Sequence, residues 1–149
     1  MSSFKKTAKT SEIVIFGNAE MAELAKYYFD LDSPYHPIAF AVDDSYLKDD
    51  EFQGLPVIPW SQVALKYPPS VYKMHVALSY RGLNKLREDK FYQCKKSGYE
   101  LVSYFSSKAT TFPDLLHGEN CFILENQNIQ PRVKLGDNVM LWSGNHIGN

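Results

Sequence analysis

LHGENCFILENQNIQPRVKLGDNVMLWSGNHIGN, residues 116–149, decides the fold. Cut into sixes it reads LHGENC, FILENQ, NIQPRV, KLGDNV, MLWSGN and HIGN. The second place of each six holds His117, Ile123, Ile129, Leu135, Leu141 and Ile147, and Gly118 and Gly136 stand one super-period of 18 apart. A repeat of six fits neither the 3.6-residue helix nor the two-residue strand alternation. It predicts a solenoid of short strands, each placing one aliphatic side chain on the axis and turning at small or amide residues.

Upstream the text changes character. EIVIFGNAEMAELAKYYF, residues 12–29, opens with the β-branched run 13–16, bounded by Gly17. Met21, Leu24, Ala25 and Tyr28 then recur at i, i+3, i+4 and i+7, the spacing of one helix face. Strand, glycine turn and helix together predict a βα unit of Rossmann type. After Pro34 and Pro37, apolar runs at 38–42, 55–58, 74–78 and 101–105 predict four more strands. Ser61 is placed to cap a short helix over 62–66. Leu83, Leu86, Phe91 and Cys94 predict a second clear helix, with Gly98 at its C-terminal cap. The fold class is therefore α/β: a small Rossmann-like parallel sheet over residues 11–106, then coils of a parallel β-solenoid over 107–149. Residues 1–10 are expected to be a disordered tail.

Composition narrows the function. The 149 residues are 44% apolar and 22% charged, and the net charge is −1. That balance leaves no basic field for nucleic acid or anionic lipid. The opening MSSFKKTAKTSE has no apolar core of a signal peptide and no window reaches membrane-span length. The expected location is therefore cytoplasmic, with no membrane partner. Cys94 and Cys121 are read as small buried side chains, and no metal site is expected.

The candidate ligand residues lie at the C-terminal edge of the predicted sheet. Gly17, Asn18 and Ala19 either cradle a nucleotide at the first helix N-terminus or form a tight turn with no ligand. Ala19 stands where an NAD fingerprint wants glycine, and Glu20 adds a negative charge, so a dinucleotide oxidoreductase is disfavoured. Asp43, ending the second strand, has the position to accept from ribose hydroxyls or a uracil N–H, whereas Asp44 reads as a solvated turn residue. Tyr80 and Arg81 follow the fourth strand, while Arg87 suits a local carboxylate or a phosphate. His146 precedes an axial residue and should point outward or toward a neighbouring subunit; His117 reads as a partly buried end residue.

Taken together, IVIFGNAEMAELA, VDD, GLPVIP, VALSYRGLNKLR and GYELVSYFSSKAT, followed by GENCFILENQNIQP and NVMLWSGNHIG, resemble the sugar O-/N-acyltransferase family. That family includes the sialic-acid O-acetyltransferases and the bacillosamine-pathway N-acetyltransferases. The resemblance implies a left-handed β-helix, a homotrimer, acetyl-CoA as donor and a UDP-sugar or other sugar as acceptor. It also implies a histidine base on the β-helix and a backbone N–H for the oxyanion. Aligned on the hexads, the expected base falls two residues after Ile147, on Asn149, the last residue. His146 is then the one catalytic candidate, and the coenzyme-binding coils are expected to be missing. The expectation is a truncated acetyl-CoA-dependent sugar acyltransferase with little activity alone; the alternative is a non-catalytic nucleotide-sugar-binding module.

Overall fold

The computed structural model describes residues 3–149. Its first half is a five-stranded sheet in the order β3-β4-β2-β1-β5, made of β1 (Ser11–Phe16), β2 (Tyr35–Val42), β3 (Glu51–Phe52), β4 (Leu55–Pro59) and β5 (Lys73–Val76). Every pairing is parallel except the β3–β4 hairpin at the edge. Ile13 and Ile15 bury into one face while Val14 and Phe16 bury into the other, the mark of a parallel sheet covered on both sides. Helix α1 (Glu20–Asp32) covers the first face; α2 (Trp60–Lys66) and α3 (Lys85–Lys96) bring Val63, Phe91 and Cys94 to the second.

Several local expectations are corrected. β2 starts at Tyr35 and runs through Pro37, because the β1–β2 register slips between Ile13 and Val14 and gives the N–H-less proline a place in the strand. α2 is capped from another loop: the Ser61 N–H donates to Asp44 Oδ1 (3.0 Å). Asp44 therefore holds a helix end, and its bonds to Ser61 lower its carboxyl pKa. α3 begins after Leu83, which is exposed, and its buried stripe is Arg87, Phe91 and Cys94. Residues 3–10 form no regular element, yet they are not loose. Lys9 Nζ donates to Phe29 O (2.7 Å) and Ser33 O (2.8 Å). Those bonds close C-terminal carbonyls of α1. Lys108 Nζ donates to Ser3 O (3.1 Å). Residues 1–2 of the expected tail lie outside the described residues.

The second half is built from two-residue strands: β6 (Tyr104–Phe105), β7 (Leu116–His117), β8 (Phe122–Ile123), β9 (Asn128–Ile129), β10 (Lys134–Leu135), β11 (Met140–Leu141) and β12 (His146–Ile147). Each of β7, β8 and β9 pairs in parallel with the strand three further on, so three six-residue edges close one turn. β6 already pairs with β8, and Thr110 bridges to Asn128. The coil therefore begins at Tyr104, and only Leu101 of the expected fifth strand joins the sheet, through a bridge to Met74. Ile123 and Ile129 are fully buried at second places of the sixes, with Leu135, Leu141 and Ile147 packed on them. His117 is the exception: it is exposed and its ring packs on Phe105 at 4.6 Å, because it sits on the outermost edge of the first turn.

The corners explain the amide-rich spacing. Asn120, Asn126, Arg132, Asn138 and Gly144, each six residues apart, have φ of 56°, 60°, 67°, 60° and 84°. Asparagine and glycine enter this left-handed region cheaply; arginine does not. The Arg132 backbone N–H donates to Asp114 Oδ2 (3.0 Å), a bond that any residue with an N–H preserves. Arg132→Asn is therefore expected to raise stability by about 0.5–1 kcal/mol, read as a higher urea midpoint with an unchanged slope. Gly118 has another cause. A Cβ there would meet the Asp137 side chain and approach its N to 2.6 Å, so the turns stack only if this place is bare.

One core joins the halves. Tyr104, Phe122 and Leu124 of the coil pack with Phe29, Phe40 and Ile15. Asn120 acts as a substitute strand partner for β5, satisfying backbone groups at the end of that strand. Its Oδ1 accepts from Val76 N (2.8 Å), while its Nδ2 donates to Val76 O (3.2 Å) and Asn138 Oδ1 (2.9 Å). Arg87 Nη2 donates to Asn138 O (2.9 Å), which replaces the carboxylate or phosphate considered from sequence. These bonds tie the coil to β5 and α3, Phe122 packs on Tyr28 and Phe29 of α1, and a groove lined by α1 and the coil opens at that junction.

Candidate functional site

The groove takes its floor from α1. Glu20, Glu23, Tyr27 and Asp30 recur at helical spacing along one side of it. Lys26 pairs with Asp30 at 2.8 Å. Tyr80 and Arg81, from the loop after β5, make the second wall; Met140 and Trp142, from the coil, make the third. Lys6 and Gln53 border the remaining sides, and the open volume is ≈ 1230 Å³. That exceeds the ~300–1,000 Å³ usual for small-molecule pockets.

Local geometry puts the loop beside the β1–α1 turn. Ala77 N donates to Phe16 O (2.9 Å), which carries the chain past Gly17. Gly17 has φ +133°, and a Cβ on it would stand 2.5 Å from Ala77 O. Only glycine allows this approach. The closeness serves the protein's own backbone: the space in front of Gly17 is filled by residue 77. Beyond, Gly82, Leu83 and Asn84 have φ of 62°, 54° and 67°. This run of left-handed residues turns the loop back into α3 and leaves the Tyr80 ring in solvent.

Electrostatics at the α1 N-terminus do not favour an anion. Ala19 is the N-cap with no side-chain cap, and Glu20 and Glu23 occupy the first turn. The helix dipole is thus already met by the chain's own carboxylates. The cations in the groove are Lys6, Lys26 and Arg81. Asp43, the expected ribose or base acceptor, is engaged elsewhere: Lys90 Nζ reaches its two oxygens at 2.7 and 2.6 Å while resting 5.6 Å from the Phe16 ring. Tyr28 OH donates to Glu125 Oε2 (2.9 Å) below the groove. Burial first, then that bond, pushes the phenol up to about 12, so this is a fixed neutral–anion pair at physiological pH.

The structure thus brings Tyr80 and Arg81 to the groove, with Gly17, Asn18 and Ala19 just behind its α1 end. It does not bring Asp43 there as a free acceptor. His146 is exposed on β12, opposite Asn128 in register, on a different coil edge from Met140 and Trp142. Asn149 is exposed two residues beyond Ile147. Sequence reasoning missed Trp142, Met140 and Lys6 as groove residues. Met140 and Trp142 stand at the first and third places of a hexad, the places that Phe122 and Leu124 fill one turn earlier to pack on the sheet domain, so their spacing alone does not separate a groove wall from a core contact. Cys94 and Cys121 are buried free thiols. Burial pushes both upward, Cys94 to about 12, which removes them from nucleophilic chemistry.

No family model matches the chain, and no curated protein matches it. Solved structures do. PerB from Caulobacter crescentus, in complex with CoA and GDP-perosamine, superposes with a TM-score of 0.74 over 95% of this chain at 18% identity. A histidine-to-asparagine mutant of perosamine N-acetyltransferase from Caulobacter crescentus, with the same two ligands, gives 0.75 at 17% identity and 95% coverage. The acetyltransferase domain of PglB from Neisseria gonorrhoeae FA1090, in complex with acetyl coenzyme A, gives 0.70 at 16% identity over 91%. This chain spans 64%, 64% and 63% of those chains. The mixed α/β fold with parallel sheets is therefore shared with these solved structures. Among the described residues, no helix is long and apolar enough to cross a membrane.

Proposed function

We propose that the chain is the nucleotide-sugar-recognising portion, with the opening coils, of an acetyl-CoA-dependent sugar acyltransferase. Its coil is read as the start of a left-handed parallel β-helix, with 11–106 as the binding domain and β6 as the rung that the two parts share. A cytoplasmic homotrimer follows from the same reading. The observation that carries it is the unbroken 18-residue parallel register from Tyr104 to Ile147, welded to a Rossmann-like sheet. That arrangement superposes on the PerB complex over 95% of the chain.

In acyl transfer the acceptor's amine or hydroxyl attacks the thioester carbonyl. The new C–N or C–O bond forms, the C–S bond breaks, the CoA thiol leaves, and a base removes the acceptor proton. The groove supplies recognition: aromatic walls, a hydrogen-bonding floor on α1, and Arg81 as a cation for phosphate. The histidine that the family reading expects as base is not among its lining residues. His146 lies on another coil edge. Asn149, at the position where the base is expected, carries an amide that cannot hold a proton near neutral pH. Residues 1–149 are thus expected to bind a nucleotide sugar and to transfer little acetyl.

Calorimetric titration with UDP- and GDP-linked sugars, beside a thiol-release assay with acetyl-CoA, tests this. Binding with negligible release is the expected result. Vigorous release from residues 1–149 would overturn the low-activity reading, and no heat with any nucleotide sugar would overturn the recognition reading. The position of His146 favours a second reading, a non-catalytic nucleotide-sugar module. A rise in Tm with acetyl-CoA alone argues against the module, because only a chain with a coenzyme site is stabilised by that ligand.

A further inference from the structure

Trp142 is out of keeping with its place in the coil. The neighbouring second-place residue, Leu141, turns inward with the axial cluster, whereas Trp142 remains 51% exposed and lines the groove. The other tryptophan, Trp60, lies 5.8 Å from the Phe16 ring and 6.4 Å from Tyr99. No such ring contact is made by Trp142 among the described residues. Single exposed apolar side chains are common on a surface, but Trp142 stands beside Met140 on the wall of an open groove, where an indole face is available to a ligand.

The backbone that carries it is held firmly. Gln127, buried inside the coil, donates from Nε2 to Trp142 O (2.6 Å), and Asn145 Nδ2 donates to the same carbonyl. Gln127 Oε1 in turn accepts from Asn145 N (3.2 Å). A buried amide therefore locks the backbone of the 142–145 corner, from which the indole projects to the groove. An aromatic face on a held backbone at an open groove suits ligand stacking, and a tryptophan has only two side-chain torsions to fix on binding.

Resting on the acyltransferase reading above, we infer that Trp142 is the residue that stacks on the sugar ring of the nucleotide sugar. The geometry assigns the two ends of the ligand. Arg81 and Tyr80 belong to the sheet-side wall, where a cation and a ring suit the phosphate and base. Trp142 and Met140 belong to the coil-side wall, where an apolar thioether and an indole face suit a sugar ring. The C–H-rich face of a hexose packs on an indole face and leaves its hydroxyls or amine at the edges, free to react. Trp142 is thus a specificity residue for the sugar and not for the nucleotide.

The test measures a difference between two ligands. UDP and UDP-N-acetylglucosamine, and GDP and GDP-mannose, are titrated into the full chain and into Trp142→Ala and Trp142→Phe. Emission from Trp142 is followed in a Trp60→Phe background, and the oligomeric state of each variant is measured by sedimentation. The wild-type chain is expected to bind the sugar nucleotide tighter than the bare nucleotide, with a change in Trp142 emission only for the former. Trp142→Ala is expected to abolish that increment, about a tenfold loss, while leaving nucleoside diphosphate affinity unchanged; Trp142→Phe retains part of it. An increment that survives Trp142→Ala overturns the inference and leaves the recognition reading standing. Equal loss for both ligands, or a change of assembly without a change of the increment, also overturns it, because either makes Trp142 a structural or subunit-contact residue. No binding by the wild-type chain overturns the recognition reading itself, and the inference with it.

Discussion

Asp32→Ala is expected to lower the unfolding free energy by about 3 kcal/mol, the sum of two charge-assisted hydrogen bonds and the burial of two orphaned donors. Asp32 ends α1 and is buried. A single oxygen, Oδ2, accepts from Tyr104 OH (2.8 Å) and from Ser107 N (2.8 Å), the first rung of the coil and the turn after it. Tyr104 is itself 1% exposed and lies among Tyr28, Phe29 and Phe122. Its hydroxyl has no water to turn to once the carboxylate is gone. Burial and the bond to Asp32 both raise the phenol pKa far above its ordinary value, which keeps it a donor at every accessible pH. Asp32→Asn separates charge from geometry. An amide oxygen in the same place still accepts both bonds, so its cost is expected to be about 1 kcal/mol. Urea unfolding of the three proteins checks the order; equal losses for the alanine and asparagine variants would refute the shared-acceptor account.

That latch also marks what a sequence does not disclose. Asp32 and Ser107 are 75 positions apart, and a bond of that reach leaves no periodic trace. The hexads do leave one, because each coil edge needs one inward aliphatic residue and each corner a residue that tolerates positive φ. Hence Ile123 and Ile129 can be read as axial, and Asn120, Asn126 and Asn138 as turns. The sheet is legible for the same kind of reason: β1, buried on both faces, has to be apolar along its inner length. Misreadings arise where a polar partner from elsewhere overrides local pattern. Leu83 resembles the first residue of a helical stripe, but the stripe starts at Arg87, whose guanidinium is admitted to the interior by the carbonyl of Asn138. Asp43 stands where a ligand acceptor belongs, and Lys90, 47 positions further on, claims it.

The site is half legible. Tyr80 and Arg81 follow from topology, since loops after parallel strands gather at one sheet edge. The coil wall follows from docking, which depends on side chains such as Asn120 meeting the end of β5, and no local motif announces that contact. Substrate class is less legible still. Glu20 and Glu23 turn the helix N-terminus away from phosphate, so under the proposed reading the cation for a nucleotide sugar is Arg81 on the facing wall.

Acidification supplies the second large effect, through His75. This side chain is 2% exposed, lies 4.9 Å from the Phe29 ring and 5.7 Å from Phe122, and places Nδ1 2.8 Å from Val102 O. The carbonyl requires an N–H on Nδ1, which the neutral ring supplies. Burial pushes the imidazole down to about 4, the Val102 carbonyl opposes that shift, and the Arg87 charge adds to it. A depressed histidine pKa means that the unfolded chain binds the proton more readily. Stability is therefore full above about pH 6.5 and falls as the pH drops toward about 4; below that, this group contributes no further loss. The expected decline is about 2 kcal/mol between pH 7 and pH 5, and roughly 3 kcal/mol by pH 4. In His75→Phe the ring contacts persist, the Val102 carbonyl loses its donor at a cost of about 1 kcal/mol at neutral pH, and the slope between pH 6.5 and 5 should flatten. Urea midpoints measured at pH 7, 6 and 5 for both proteins decide the matter: parallel declines would place the acid-sensitive group elsewhere, whereas convergence at low pH identifies the buried imidazole as the source.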